Sequence, residues 1–212
     1  MPSTSTTDLY LDKAAHVKPF LGIPSGNTSN DALFDLLIPM VCSKLNDILN
    51  VRTLAKHSVS DERVDGGGSF IEVRDFPVIS VTSIKQGSTE TLYTQTPAYV
   101  MERNRIILDG AVGGGTGYEQ NKVSYVAGYV TKAQNEAVGG PYNGQTVTFP
   151  DSLLHACLIM LGGMYNKRKN LAVKTFTVQG KSVTFRDREE FDEFESIVNH
   201  YRKPTRDENC AI

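Results

Sequence analysis

The apolar positions of this chain change their period twice. In DALFDLLIPMVCSKLNDILN, residues 31 to 50, Leu33, Leu37, Val41, Leu45 and Ile48 recur every three or four residues, the spacing that lines one face of an α-helix. Asn30 stands where an N-cap belongs, and Pro39 predicts a bend, because proline removes a backbone donor and crowds the preceding turn. A shorter helix is expected in DLYLDKAAHVKPFLGI, capped by Asp12 and ended by Gly22.

From about residue 57 to residue 130 the pattern becomes short runs rich in Val, Ile, Thr, Ser and Tyr: SFIEVRDF, PVISVTSIKQG, RIILDG and KVSYVAGYV. The clusters DGGGS, KQGS and AVGGGTG divide them, which predicts strands joined by turns in a β sub-domain made of hairpins. Gly66, Gly67 and Gly68 read as a hairpin turn or flexible loop that introduces it. Helical spacing returns after Pro150, where Leu154, Leu158, Leu161 and Tyr165 share a face and Asp151 is the expected cap. A last helix, DREEFDEFESIVNHYRKP, has Asp187 and Glu190 at capping-box spacing, acidic residues early, and His200, Arg202 and Lys203 at its end, which suits the helix dipole. The expected fold class is α+β: a helical core of about four helices, from residues 1–56 and 150–212, with an antiparallel β sub-domain inserted at 57–149.

The chain has 212 residues, 40% of them hydrophobic and 22% charged, an ordinary composition for a folded globular protein. A formal net charge of -2 supplies no overall basic field to hold nucleic acid. Cys42, Cys157 and Cys210 are widely spaced and form no CxxC pair, so they read as reduced thiols, the first two as small core residues. The opening MPSTSTTDLY lacks the basic and apolar regions of a signal peptide, and the longest nearly apolar run, residues 153 to 165, is too short to cross a bilayer. A soluble, non-secreted protein without membrane contact is expected.

Candidate chemistry is sparse. GGPYNGQT, residues 139 to 146, approaches a phosphate-binding P-loop, but Gln145 occupies the lysine position and Pro141 removes a backbone donor. Gly113, Gly114, Gly115 and Gly117 fail the dinucleotide fingerprint because Tyr118 stands at its last glycine. His16, His57, His155 and His200 lack ligand spacing, and no GxSxG elbow occurs. No catalytic, cofactor or metal site is expected, and the acidic run from Glu189 to Glu195 reads as a solvated face over Phe191 and Phe194.

In order and spacing, several segments resemble the head-tail connector (adaptor) family of tailed bacteriophages. They are YLDKAAHVKPFLGI, the long helix from residue 31, RVDGGGSFIEVRDFPVISVTSIK, KVSYVAGYV, PDSLLHACLIMLGGMYNKR and IVNHYRKP. The stretch from 131 to 149 is longer than the family pattern. The resemblance implies a non-enzymatic virion protein, made in the host cytoplasm and located at the neck. It implies a homo-oligomeric ring, commonly dodecameric, beneath the portal protein, passing packaged DNA without reading its sequence and receiving a stopper or tail-completion protein. Carried onto this chain, Tyr201, Arg202, Lys203, Arg206 and the tail to Ile212 become portal-contact candidates. Glu189, Glu190 and Glu193 against Lys167, Arg168 and Lys169 of a neighbour are the candidate ring contact, since a ring needs two different complementary faces on each subunit. A head-closure or tail-completion ring protein is the alternative within phage proteins, and a small hydrolase or nucleotide-binding enzyme the alternative outside them.

Overall fold

The computed structural model describes residues 9–65, 70–86, 91–92, 99–102, 105–108, 121–169, 175–178, 181–184 and 187–202. The chain divides into two compact units, Met1–Leu49 with Phe149–Ile212, and Asn50–Thr148. The first contains helices and one hairpin; the second contains two antiparallel sheets and a short helix. This is the expected α+β class.

In the helical unit a π-helical turn, Lys13–Val17, runs into α1, Lys18–Phe20. Asp12 caps it as expected, its Oδ1 accepting the Ala15 amide at 2.5 Å, and Gly22 ends it in the left-handed region at φ +65°. Helix α2, Asp31–Leu49, begins directly after Asn30, whose carbonyl accepts the amides of Leu33 and Phe34. It continues through Pro39 and ends at Asn50, φ 52°. Its buried face is Phe34, Leu37, Ile38, Val41, Cys42, Leu45 and Leu49. Leu33 and Ile48, expected on that face, are only half-buried, because a helix advances 100° per residue and the apolar stripe drifts around it.

Helix α4, Asp151–Lys169, packs on α2 and on α5, Asp187–Tyr201. It buries Leu153, Ala156, Cys157, Leu158, Leu161 and Tyr165, while Leu154 is half-buried. Burial on more than one side is as expected for a helix with neighbours on two flanks. Gly162 lets α4 come close to Phe20, since a Cβ there would lie 3.2 Å from the ring. Asp151 is not the cap: it already lies in the first turn of α4, and Leu154 donates to the Pro150 carbonyl. Asp187 likewise lies inside α5 as its first residue, where a carboxylate still suits the dipole. Phe194 and Val198 anchor α5. A hairpin absent from the sequence reading, β8 (Thr175–Val178) with β9 (Lys181–Thr184), lies between α4 and α5 in the chain.

The β unit has a four-stranded sheet in the order β1–β7–β3–β4, from His57–Val64, Asn121–Ala127, Val78–Gln86 and Thr91–Leu92. A three-stranded sheet has the order β2–β6–β5, from Phe70–Glu72, Arg105–Leu108 and Tyr99–Glu102. Strand β7 is paired on both edges and alternates buried and half-buried residues along its length, the signature of a strand with one face on a core. Val123, Tyr125 and Ala127 from β7, Val78 and Ile84 from β3, Ile71 and Ile106 from the smaller sheet, and Val64 and Val73 form that core. Strands β1 and β2 belong to different sheets. Gly66, Gly67 and Gly68, expected to introduce the β sub-domain as a hairpin turn or flexible loop, lie outside the described residues. A short helix, α3 (Lys132–Glu136), carries a full capping box between Thr131 and Gln134.

Gly128, just past β7, meets the chain leaving α2. Its φ is +97°, and a Cβ there would sit 2.5 Å from the Ala55 carbonyl oxygen. Tyr129 donates to Leu54 O at 2.7 Å and Lys56 to Tyr129 O at 2.8 Å, so the two backbones cannot move apart without losing both bonds. Gly128→Ala should destabilise the protein by about 2 kcal/mol or more, combining left-handed strain of ~1–3 kcal/mol with a steric clash, read as a lower urea midpoint with unchanged slope.

Candidate functional site

The densest polar constellation among the described residues lies in the β unit around Asp75, which is fully buried. Its carboxylate accepts three bonds: the Arg52 amide at 2.8 Å, Arg52 Nη1 at 2.6 Å and His57 Nε2 at 3.1 Å. Arg52 Nη1 also reaches Glu62 Oε2 at 2.9 Å. Tyr125 Oη donates to that oxygen at 2.5 Å and accepts the Asp75 amide at 3.2 Å, while the Arg74 amide donates to Glu62 Oε1 at 2.9 Å. Burial would raise the Asp75 pKa, but the bonds from His57 and Arg52 outweigh it and hold the carboxyl below its usual range. Burial and the neighbouring Glu62 push the Tyr125 hydroxyl up, so it remains a neutral donor.

This histidine and carboxylate pair has the parts of a general base, yet its geometry leaves no atom for a substrate. His57 Nδ1 faces the Ala55 carbonyl at 2.8 Å while Nε2 faces Asp75, so neither ring nitrogen presents a lone pair outward. The arrangement is a buried polar tie between the start of β1, the 73–77 segment and β7, in which every carboxylate oxygen accepts at least one bond. Sequence reasoning missed it because the residues that bond one another in it are 10 to 63 positions apart; the one available signal was a tyrosine at an inward position of β7, whose hydroxyl must find a partner.

The structure places the other candidates on the helical unit. Tyr201 Oη lies 2.6 Å from Ser152 Oγ, joining the last turn of α5 to the first of α4. Arg202 is exposed, with its Nη1 3.4 Å from Asn199 Oδ1. Glu193 is exposed and lies 3.4 Å from His155 Nε2 of the same chain. Lys167, Arg168 and Lys169 form the last residues of α4, and Glu189 and Glu190 lie in the first turn of α5. Lys203, Arg206 and Ile212 lie outside the described residues, as do the glycines at 113 to 117. The P-loop-like segment is a folded loop: Asn135 Nδ2 donates to the Gln145 carbonyl, and Gln145 Oε1 accepts from Lys56 at 3.0 Å. Gln145 thus fastens the loop to Asn135 and Lys56.

Cys42 and Cys157 are fully buried in α2 and α4. Desolvation pushes the Cys42 thiol up to about 11 and the Cys157 thiol well above its usual value, so both are inert core residues and not nucleophiles. Among the described residues no group of three or more His, Cys, Asp or Glu side chains is placed to hold a metal ion, and no helix is long and apolar enough to cross a membrane.

No family model and no curated protein matches the chain. Solved structures do. A chain in the neck of an empty gene transfer agent (GTA) particle, computed with C6 symmetry, superposes with a TM-score of 0.54 at 13% identity, covering 96% of this chain and 94% of that one. A chain in the neck of the native GTA particle, computed with C12 symmetry, superposes with a TM-score of 0.51 at 12% identity, covering 96% and 93%. At such identities the likeness is one of fold. In fold the chain is similar to these neck chains, and the likeness spans nearly its whole length.

Tyr125→Phe removes the hydroxyl that serves both Glu62 and the Asp75 amide. It should cost about 1–3 kcal/mol, the range for stranding buried polar partners, seen as a lower denaturation midpoint with unchanged secondary structure by circular dichroism.

Proposed function

We propose that this protein is a structural head-tail connector (adaptor): a homo-oligomeric ring at the neck of a phage-like particle, beneath the portal vertex, that extends the DNA channel and receives a stopper or tail protein. The observation that carries this reading is the end-to-end fold likeness to neck chains of GTA particles. A virion component of this kind needs no catalytic centre, and the one histidine and carboxylate pair in the β unit is spent on internal bonds. Twelve copies are favoured because C6 is a subgroup of C12, so a ring of twelve satisfies both symmetries in which those necks were computed.

The portal contact is assigned to Tyr201, Arg202, Lys203, Arg206 and the tail to Ile212. The ring contact is assigned to Glu189, Glu190 and Glu193 of one subunit against Lys167, Arg168 and Lys169 of the next. Opposite charges on α5 and on the end of α4 supply the two unlike faces that a closed ring requires. Light scattering of the protein alone and after mixing with its cognate portal tests the reading: a ring-sized complex with the portal is the expected result. A protein that stays monomeric in both samples overturns it.

Glu189→Lys with Glu190→Lys should reduce ring formation at low ionic strength and change little at 1 M salt, where the Debye length is ~3 Å. Analytical ultracentrifugation across a salt series reads the difference, and assembly equal to that of the unmodified chain removes the assigned ring contact.

A further inference from the structure

We propose that His57 is a proton-dependent clasp: as an imidazolium it fastens the start of β1 to the 73–77 segment, and loss of one proton releases that fastening. This goes beyond the connector reading and does not depend on it.

The geometry fixes the charge state. The Ala55 carbonyl facing Nδ1 at 2.8 Å can only accept. The Asp75 oxygen facing Nε2 at 3.1 Å belongs to a carboxylate that Arg52 already holds ionised, so it too only accepts. Two acceptors satisfy both ring nitrogens only when both carry hydrogen. In the neutral ring one lone pair would point at an oxygen lone pair, either at Ala55 or at Asp75. His16 shows the opposite arrangement, since its Nδ1 accepts the Asp12 amide at 2.9 Å.

Charge balance leads to the same state. The charged groups acting on the ring are Asp75, from the 73–77 segment, and Arg52, from the segment after α2; Arg52 in turn binds Glu62 of β1, which accepts from Tyr125 of β7. Lys56, next in sequence, turns its Nζ to Gln145 and the Tyr142 ring, and the register partner of His57 on β7 is the apolar Ala127. Two carboxylates face Arg52 and His57, so the cluster is neutral with the imidazolium and carries one uncompensated negative charge without it. Asp75 and Glu62 have almost no solvent to screen that charge. The His57 side chain is 22% exposed, which leaves the proton a route to water.

Burial lowers the His57 pKa, but the Asp75 bond and the Ala55 carbonyl outweigh it, against a smaller opposing effect from Arg52, and the net shift is upward. A group raised on folding contributes stability below its unfolded value, ~6.5 for histidine, and loses it as pH rises through the folded value. Asp75 is shifted down, so its contribution is present above ~3.9 and fades in acid. The clasp is therefore strongest between about pH 4 and pH 6.5.

The test is an NMR titration of the histidine rings in the full chain, with hydrogen exchange at the Arg52 amide, corrected for intrinsic exchange, and thermal melts from pH 5.5 to 9. The expected result is that His57 carries both ring protons at pH 6 and titrates above ~6.5. Melting temperature and Arg52 protection should then fall through that titration, with the folded-to-unfolded ratio dropping tenfold per unit of elevation. His57→Gln retains one donor and should melt with no such alkaline step. A neutral His57 at pH 6, or an equal alkaline step in His57→Gln, overturns the proposal. If the variant fails to fold, the titration of the unmodified chain still decides it.

Discussion

A carboxylate with no access to water must be surrounded by donors, and Asp75 imposes that requirement on the β unit. Three donors converge on it from the chain leaving α2 and from the start of β1. Tyr125, whose hydroxyl accepts the Asp75 amide, sits on the strand that pairs with both β1 and β3. A buried ion of this kind adds little net stability compared with an apolar core, but removing any one partner strands the others. Its contribution is to specify which segments lie together: other registers of β1 on β7 would separate Glu62 from Tyr125.

The helical unit is organised differently. Apolar packing of α2 against α4 and of α4 against α5 dominates, with Phe34 and Tyr165 rings 5.6 Å apart at the first of these contacts. Its polar ties lie at the edges. Tyr10 stacks on Phe149 and donates to Asn46 at 2.6 Å, and Lys18, itself buried, lies 2.9 Å from Asp31 in an ion contact at the start of α2. Here geometry comes from shape and helical period; in the β unit it comes from hydrogen-bond directionality as well.

That contrast explains how much was legible in the sequence. Leu37, Val41 and Leu45 announced α2, and Leu158, Leu161 and Tyr165 announced α4, because a 3.6-residue period is a local property of the chain. The errors at Leu33, Ile48 and Leu154 are of one kind: the stripe on a long helix rotates, and the packed neighbour, not the sequence, selects which flank is covered. Caps slipped by a single residue at Asp151 and Asp187, where an acidic side chain suits both the cap and the first turn. Strand pairing was less readable. Nothing local in Val59 or Phe70 tells that β1 seeks β7 while β2 seeks β6, because register is decided by partners tens of residues away. The Asp75 cluster was invisible for the same reason, whereas the lack of a lysine at Gln145 in the near-miss phosphate loop is a local feature that can be read in place.

The bond between Ser152 and Tyr201 makes the two ends of the C-terminal helical hairpin a single mechanical point. Tyr201 ends α5 beside the first turn of α4, which the chain enters through Phe149 and Pro150, Phe149 itself stacked on Tyr10. A displacement of the last turn of α5 would thus reach Ser152 first, and then Pro150, Phe149 and Tyr10. Displacements of α5 at Tyr201 and of the N-terminal segment at Tyr10 would meet at the same aromatic pair.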